Sequence, residues 1–222
     1  MTDTGFLTET ELFRDIEPGY MPDLLSCLKT REKRYARDQV ILRAGDRPRE
    51  FGLVLSGSVS LSASFYWGGS SLLGQVKKGD IFAETCAVLP GQEMRWDAVA
   101  AEDTRILFMN MEALLTPCES NCDHHNRLIR SLMRICAEKN LALTARMMHT
   151  APKTIRERLL SYLSEQAAAA GSAVFTVPFN RQQLADYLGV DRSALSNELS
   201  KMRRDGLISC RKNDFVLHQQ GG

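Results

Sequence analysis

The segment 180–208, NRQQLADYLGVDRSALSNELSKMRRDGLI, sets two short helical patterns around a tight turn, and no other stretch constrains the fold as much. In the first pattern Leu184, Ala185 and Leu188 fall on one side, and the small Ala185 allows a second helix to cross closely. Gly189 permits a sharp reversal. Asp191 is placed to cap the next helix, whose apolar side is Leu195, Leu199 and Met202. Arg192, Ser193, Ser196, Asn197 and Ser200 are left facing outward. Hydrogen-bonding groups on the N-terminal half of such a helix suit the base edges of a DNA major groove.

Gly206 ends the second helix, and LISC and FVLH then read as two strands around Arg211-Lys212-Asn213-Asp214. Helix, turn, helix and a hairpin with a basic tip make a winged helix-turn-helix, expected over 151–222. Charge agrees in sign. From Ala151 onward there are 10 Lys and Arg against 7 Asp and Glu, although the whole chain carries 28 against 27. The basic excess therefore lies on the segment expected to meet phosphates.

A chain of 222 residues has room for one large or two modest domains. It shows no basic start followed by an apolar run, and no stretch near 18 uncharged apolar residues. No membrane partner is expected. Six cysteines without a dense framework read as reduced thiols in a cytoplasm.

Upstream, residues 1 to about 30 read as short helices, with Thr8 and Glu11 spaced as a capping box and Pro22-Asp23 opening a turn that carries Leu24, Leu25 and Leu28. From about Arg31 to Met111 short strands alternate with turn signals at Gly45-Asp46, Gly57, Gly68-Gly69, Lys78-Gly79-Asp80 and Pro90-Gly91. Ser58, Ser60, Ser62 and Ser64 alternate with Val59, Leu61, Ala63 and Phe65, which predicts one wet and one buried face. Such strands favour an antiparallel β jelly roll. A long helix follows over about Asp123 to Met148. Ile129, Met133, Cys136, Asn140, Leu143 and Met147 draw a coiled-coil seam along it, beside a second stripe of Leu128, Leu132, Ile135 and Ala142. Two stripes serve two surfaces, the chain's own core and an identical helix of a second copy. Pro152 ends this helix, and Ile155, Leu159, Leu160 and Leu163 form another.

Barrel, seam helix and winged helix-turn-helix, in that order, resemble the cyclic-AMP receptor protein and fumarate-nitrate regulator (CRP/FNR) superfamily. The most specific pieces are the reader module and Gly79-Asp80-Ile81-Phe82-Ala83-Glu84, which looks like the family's GDxFGE at the start of its phosphate-binding cassette. The resemblance implies an α+β chain: a cyclic-nucleotide-binding-like barrel with short N-terminal helices over 1–122, a dimerisation helix over 123–150, and the reader module. It also implies a homodimeric transcription regulator bound to double-stranded DNA at a two-fold symmetric operator, with RNA polymerase as a further partner. On the reader helix, Arg192 is expected to take a guanine bidentately, and Ser193, Ser196 and Asn197 to read its neighbours. Many relatives carry Arg at the Asn197 position, so the preferred half-site is expected to differ. Arg181, Ser193, Lys201, Arg211 and Lys212 are expected on phosphates.

Family members that bind cyclic nucleotides hold the ribose with the cassette Glu and the phosphate with an Arg-Ser pair. Glu84 and Arg95 stand at the Glu and Arg positions, but Trp96 replaces the Ser. An indole cannot donate the hydroxyl hydrogen bond, and it fills space a phosphate would need. The expected effector is therefore a small anion other than cyclic AMP, paired with Arg95 and stacked on Trp96, with Lys139 and Asn140 of the long helix completing the site. Cys118, Cys122, His124 and His125 are candidate ligands for a metal- or redox-responsive alternative, but they lack the two-knuckle spacing of a structural zinc site. Neither metal nor haem is expected. An enzyme is not expected either: no histidine lies in the barrel as a metal-dependent cupin needs, and no nucleophile-base set is visible.

Overall fold

A computed structural model describes residues 4–64, 66, 68, 70–116 and 123–218. The chain divides into two compact units, Met1–Ala137 and Glu138–Gly222. In the first, α1 (Thr4–Glu9), a 3-10 turn at Pro18–Tyr20 and α2 (Met21–Cys27) precede the strands. These are β1 (Arg31–Tyr35), β2 (Val40–Leu42), β3 (Glu50–Ser56), β4 (Val59–Ser64), β5 (Ser70–Val76), β6 (Ile81–Phe82), β7 (Asp97–Ala100) and β8 (Thr104–Asn110). The short helix α3 (Glu84–Val88) lies between β6 and β7, and α4 (Met111–Leu115) follows β8.

The strands form two antiparallel sheets, in the orders β1-β8-β3-β6 and β2-β7-β4-β5. The expected barrel is thus not closed. β1 and β2 are consecutive in the chain but lie at the edges of different sheets, as do β5 and β6. In the first sheet, β3, β6 and β8 are apolar on both faces. On β8, Ile106 and Phe108 belong to one core cluster with Val54, Phe82 and Ala98, while Leu107 and Met109 belong to another with Phe13, Leu24 and Leu128. The period of two is intact, and both halves of it are buried. That is why β3 reads as a continuous apolar run. Gly52 on β3 marks a tight point: a Cβ there would stand 2.5 Å from the Phe82 ring and 2.9 Å from Ile106.

Two expectations need correction. Thr8 caps nothing, because α1 already runs through it and its hydroxyl donates back to the Gly5 carbonyl at 2.8 Å. Along β4 only Val59 is fully buried, and Leu61 and Ala63 are half-buried like Ser60 and Ser62. Ser58, expected on the wet face, is buried, donating to Glu102 at 2.8 Å and accepting from Gln75 at 3.1 Å. A register shift between Leu61 and Ser62 in the β4–β5 pairing breaks the strict alternation. Phe65 lies outside the described residues.

The long helix α5 spans Asp123–Thr150, and its 28 residues make a rod of about 42 Å. In the second unit it is followed by α6 (Ile155–Ala170), β9 (Val174–Thr176), α7 (Arg181–Leu188), α8 (Arg192–Arg204), β10 (Ile208–Arg211) and β11 (Asp214–Leu217). Thr154 and Glu157 close a capping box on α6, and the left-handed Gly171 ends it. The strands form a sheet in the order β10-β11-β9. Among the described residues no helix is long and apolar enough to cross a membrane.

Replacing Gly52 by Ala should destabilise the first unit by about 1–3 kcal/mol, because the ring edge and the methyl cannot share the space. A chemical-denaturation midpoint equal to that of the parent chain would contradict this packing.

Candidate nucleic-acid interface

α7 and α8 form because caps and apolar stripes agree at both helices. Asn180 and Gln183 close a reciprocal capping box at the start of α7, a signal that stands in the sequence three residues apart. Gly189 turns the chain at φ 64. Asp191 then accepts from the backbone N–H groups of Ser193 at 2.8 Å and Ala194 at 3.0 Å, starting α8. Leu184, Ala185, Leu188, Leu195, Leu199 and Met202 are all buried in one cluster with Leu159, Leu163 and Phe215. Burial of this kind stabilises by roughly 1.5–3 kcal/mol per large side chain. The stripe expected from spacing is the stripe observed.

Burial alone would let two helices slide, and charged side chains fix them. A helix ends with unbonded carbonyls. Those of α7 are taken by arginines from two other helices. Arg146 of α5 donates to Asp186 and Tyr187, both at 3.0 Å, and Arg158 of α6 donates to Leu188 at 3.1 Å. Arg156 of α6 clamps α8, pairing with Glu198 at 2.6 Å and Asp205 at 2.7 Å. His149, in the last turn of α5, is 2% exposed and is held from both sides. Its Nε2 meets Glu165 of α6 at 2.6 Å, and its Nδ1 meets the Tyr187 hydroxyl of α7 at 2.9 Å. The imidazole also packs edge-on against Tyr162, whose hydroxyl burial pushes up to about 12. Sequence reading misses Arg146, His149, Arg156 and Arg158. Each reaches a partner that no local spacing reveals.

The outer face of α8 is exposed at Arg192, Ser193, Ser196, Asn197, Ser200 and Lys201. Ser196 and Ser200 donate back to the carbonyls of Arg192 and Ser196, both at 2.9 Å, and Ser193 donates to Asp191. Each of these hydroxyls still has lone pairs to offer. Lys201 lies 3.6 Å from Glu198. The N-terminus of α7, the N-terminus of α8 and the wing tip share a cleft of about 500 Å³, lined by Asn180, Arg181, Gln182, Arg192, Lys212 and Asn213. Arg211 and Lys212 are exposed on the hairpin, with Lys212 in the left-handed region at φ 52. Arg181 is less free than its exposed neighbours. Its guanidinium lies 5.1 Å over the Phe215 ring, with one amino group 3.7 Å from the Cys210 sulfur, so it ties α7 to the wing. Asn180, Gln182 and Asn213 join the cleft unforeseen from sequence.

The residues expected to hold an effector fall in both units. In the first, Glu84 opens α3 and is 6% exposed, preceded by Ala83 in the left-handed region at φ 64 where the family pattern has glycine. Arg95 is exposed and makes no ion pair among the described residues. Trp96 is half-buried against the inter-sheet core. In the second, Lys139 is half-buried, and Asn140 is exposed and accepts from Thr144 at 3.4 Å. Along the α5 seam, Met133, Leu143 and Met147 are 68%, 68% and 65% exposed, and Cys136 and Asn140 are exposed too. Ile129 departs from the seam and packs half-buried against the first unit's own core. Leu128, Leu132 and Ile135 are buried there, while Ala142 of the same stripe is exposed. Cys118 and Cys122 lie outside the described residues. His125 is buried, and the His124 ring lies tilted against Tyr20 with centroids 4.1 Å apart. Among the described residues no three His, Cys, Asp or Glu side chains gather as a metal ion requires.

Residues 32–121 match a cyclic nucleotide-binding domain, and residues 157–220 match a Crp-like helix-turn-helix domain. The transcriptional activator protein FnrL of Cereibacter sphaeroides is 24% identical over 193 residues, covering 82% of this chain and 74% of the relative. Among solved structures, the c-di-GMP responsive global regulator CLP of Xanthomonas campestris is similar with a TM-score of 0.60 at 20% identity, over 92% of this chain and 100% of that one. The catabolite activator protein of Thermus thermophilus gives 0.51 at 21% identity, over 94% of both chains.

The Asp191 carboxyl is held below the usual aspartate range, first by the Ser193 hydroxyl and then by the backbone N–H groups of Ala194 and Ser193. A depressed value means that its stabilisation is complete above the range where a free aspartate titrates and is lost as pH falls through the depressed value. Asp191→Asn should flatten this acid limb in a thermal-stability titration while leaving the neutral-pH transition nearly in place. An acid limb identical in both proteins would refute this role.

Proposed function

Since the chain belongs to the CRP/FNR family of transcription regulators, with a DNA-binding helix-turn-helix and an effector-binding domain, we propose that it works as a homodimer reading a two-fold symmetric operator. The observation that carries this reading is the exposed face of α8, where Arg192, Ser193, Ser196 and Asn197 stand free of the apolar core. Arg192 takes the main base contact, and Ser193, Ser196 and Asn197 address its neighbours. Lys201, Arg211 and Lys212 hold phosphates, which set register without reading sequence. Arg181 assists from the cleft while bracing the wing.

The exposed apolar row on α5 supports the dimer, since Met133, Leu143 and Met147 in water cost what a second copy's identical row would recover. Asn140 within the row fixes register. Control comes from a small organic anion other than cyclic AMP. Glu84, Arg95 and Trp96 supply a carboxylate, a cation with no ion pair among the described residues, and an indole face for it. Trp96 is the reason for preferring an anion other than cyclic AMP, since it stands in the sequence where the resemblance calls for a phosphate-holding Ser. A promoter-bound dimer of this kind works through RNA polymerase.

Two measurements test the reading. With an operator recovered from a random pool, Arg192→Ala should cost about 1–3 kcal/mol per half-site and relax sequence preference, read by fluorescence anisotropy at fixed salt. Unchanged affinity and selectivity would remove Arg192 from the interface. Sedimentation at micromolar concentration should show twice the chain mass, and Leu143→Glu should halve it; a monomeric parent chain rejects the seam.

A further inference from the structure

We propose that the open mouth between the edge strands β1 and β2 is a binding site for a small amphipathic carboxylate, an aryl or short-chain acid. It shares no residue with the Glu84–Arg95–Trp96 region and does not depend on the effector reading given there.

The site exists because the two sheets do not close. β1 pairs only with β8, and the register sets Arg31 against Phe108, Lys33 against Ile106 and Tyr35 against Thr104. Phe108 and Ile106 point into the inter-sheet core, so the facing residues Arg31, Lys33 and Tyr35 occupy that same inner face at its open margin. With β2 and the loop leading to β3 they enclose a concavity of about 340 Å³. That size is at the lower end of small-molecule sites, about 300–1,000 Å³. Its floor is apolar, with Ile41 and Leu42 from β2 half-buried beside Phe108.

The charges around the floor are not equivalent. Arg31 is occupied: Glu50 grips its guanidinium with both carboxylate oxygens, and it lies 4.7 Å over the Phe108 ring. Arg47 is also occupied, by Glu93 at 2.6 Å. The Asp46 carboxylate accepts from the Arg43 backbone N–H at 2.8 Å. Lys33 and Arg49 have no acid partner among the described residues, and the Tyr35 hydroxyl makes no hydrogen bond among them. Two unclaimed cations and a phenol donor therefore stand around an apolar slot. A carboxylate bound bidentately by Arg49 and paired with Lys33 would satisfy both, with Tyr35 donating and the ligand's apolar part lying on Ile41 and Leu42.

Inward-pointing charge on an edge strand also guards against pairing with another sheet. A guard requires charge alone. It accounts neither for the apolar floor nor for the unpaired Arg49 on the loop leading to β3.

The test uses the full chain with phenylacetate as probe and its neutral amide as control, in calorimetric titrations. Saturable phenylacetate binding is expected, with none for the amide. Lys33→Gln and Arg49→Gln lie on the exposed rim, and each should weaken binding by about tenfold, with unchanged melting temperature. Tyr35→Phe should weaken it less, and Arg95→Ala should leave it intact. Absence of saturable binding overturns the proposal, as does binding insensitive to Lys33→Gln and Arg49→Gln. Loss in Arg95→Ala places the ligand elsewhere and also overturns it. A glutamate-rich peptide that binds more tightly than phenylacetate through Lys33 and Arg49 would replace the small acid with a protein partner.

Discussion

The carbonyl end of α7 is where the reader module acquires its geometry. An apolar core holds two helices together but sets their relative position loosely, because Leu and Met side chains tolerate sliding. Hydrogen bonds to a helix terminus are directional. Arg146 and Arg158 reach that terminus from α5 and α6, so α7 is oriented by two helices at once. Arg156 does the same for α8 through Glu198 and Asp205. His149 of α5, buried between Glu165 of α6 and Tyr187 of α7, ties these three helices through a single side chain. The orientation of Arg192 and its neighbours is therefore inherited from residues on α5 and α6.

The first unit works by a different rule. Its central sheet buries both faces along β3, β6 and β8, so packing leaves no slack around Gly52, and these strands are committed to two cores. What that sheet cannot do is close on its neighbour. At the open margin, β1 sets charge on the side that elsewhere is hydrocarbon, while β2 keeps Ile41 and Leu42 there. Rigidity in the middle and accessibility at the rim follow from the same topology.

Much of this could be read from the residues. Stripes such as Leu195, Leu199 and Met202, caps such as Asp191 and breakers such as Gly189 act within a few residues, so spacing reports them faithfully. The turn glycines and the order of elements are of the same kind. Legibility fails wherever a partner is distant in sequence. Nothing near Arg158 announces that it will end up on the carbonyls of Leu188 and Gly189. Ser58 looked wet by alternation and is buried because Glu102 and Gln75, far along the chain, satisfy its hydroxyl. Thr8 shows the opposite error: a correct local spacing with Glu11, overridden because the helix had already begun. For the proposed effector site the sequence offers Glu84, Arg95 and Trp96 but does not reveal that the indole is half committed to the core.

Ala83 carries a last implication. An L-residue at φ 64 sits about 1–2 kcal/mol above its relaxed conformations, and this one is held there in the buried approach to Glu84. The segment is thus preloaded. Any rearrangement that releases Ala83 starts with that energy in its favour, roughly a five- to thirtyfold weight in population. A glycine in the same place would lie slack, so the methyl group makes this short stretch of backbone a spring.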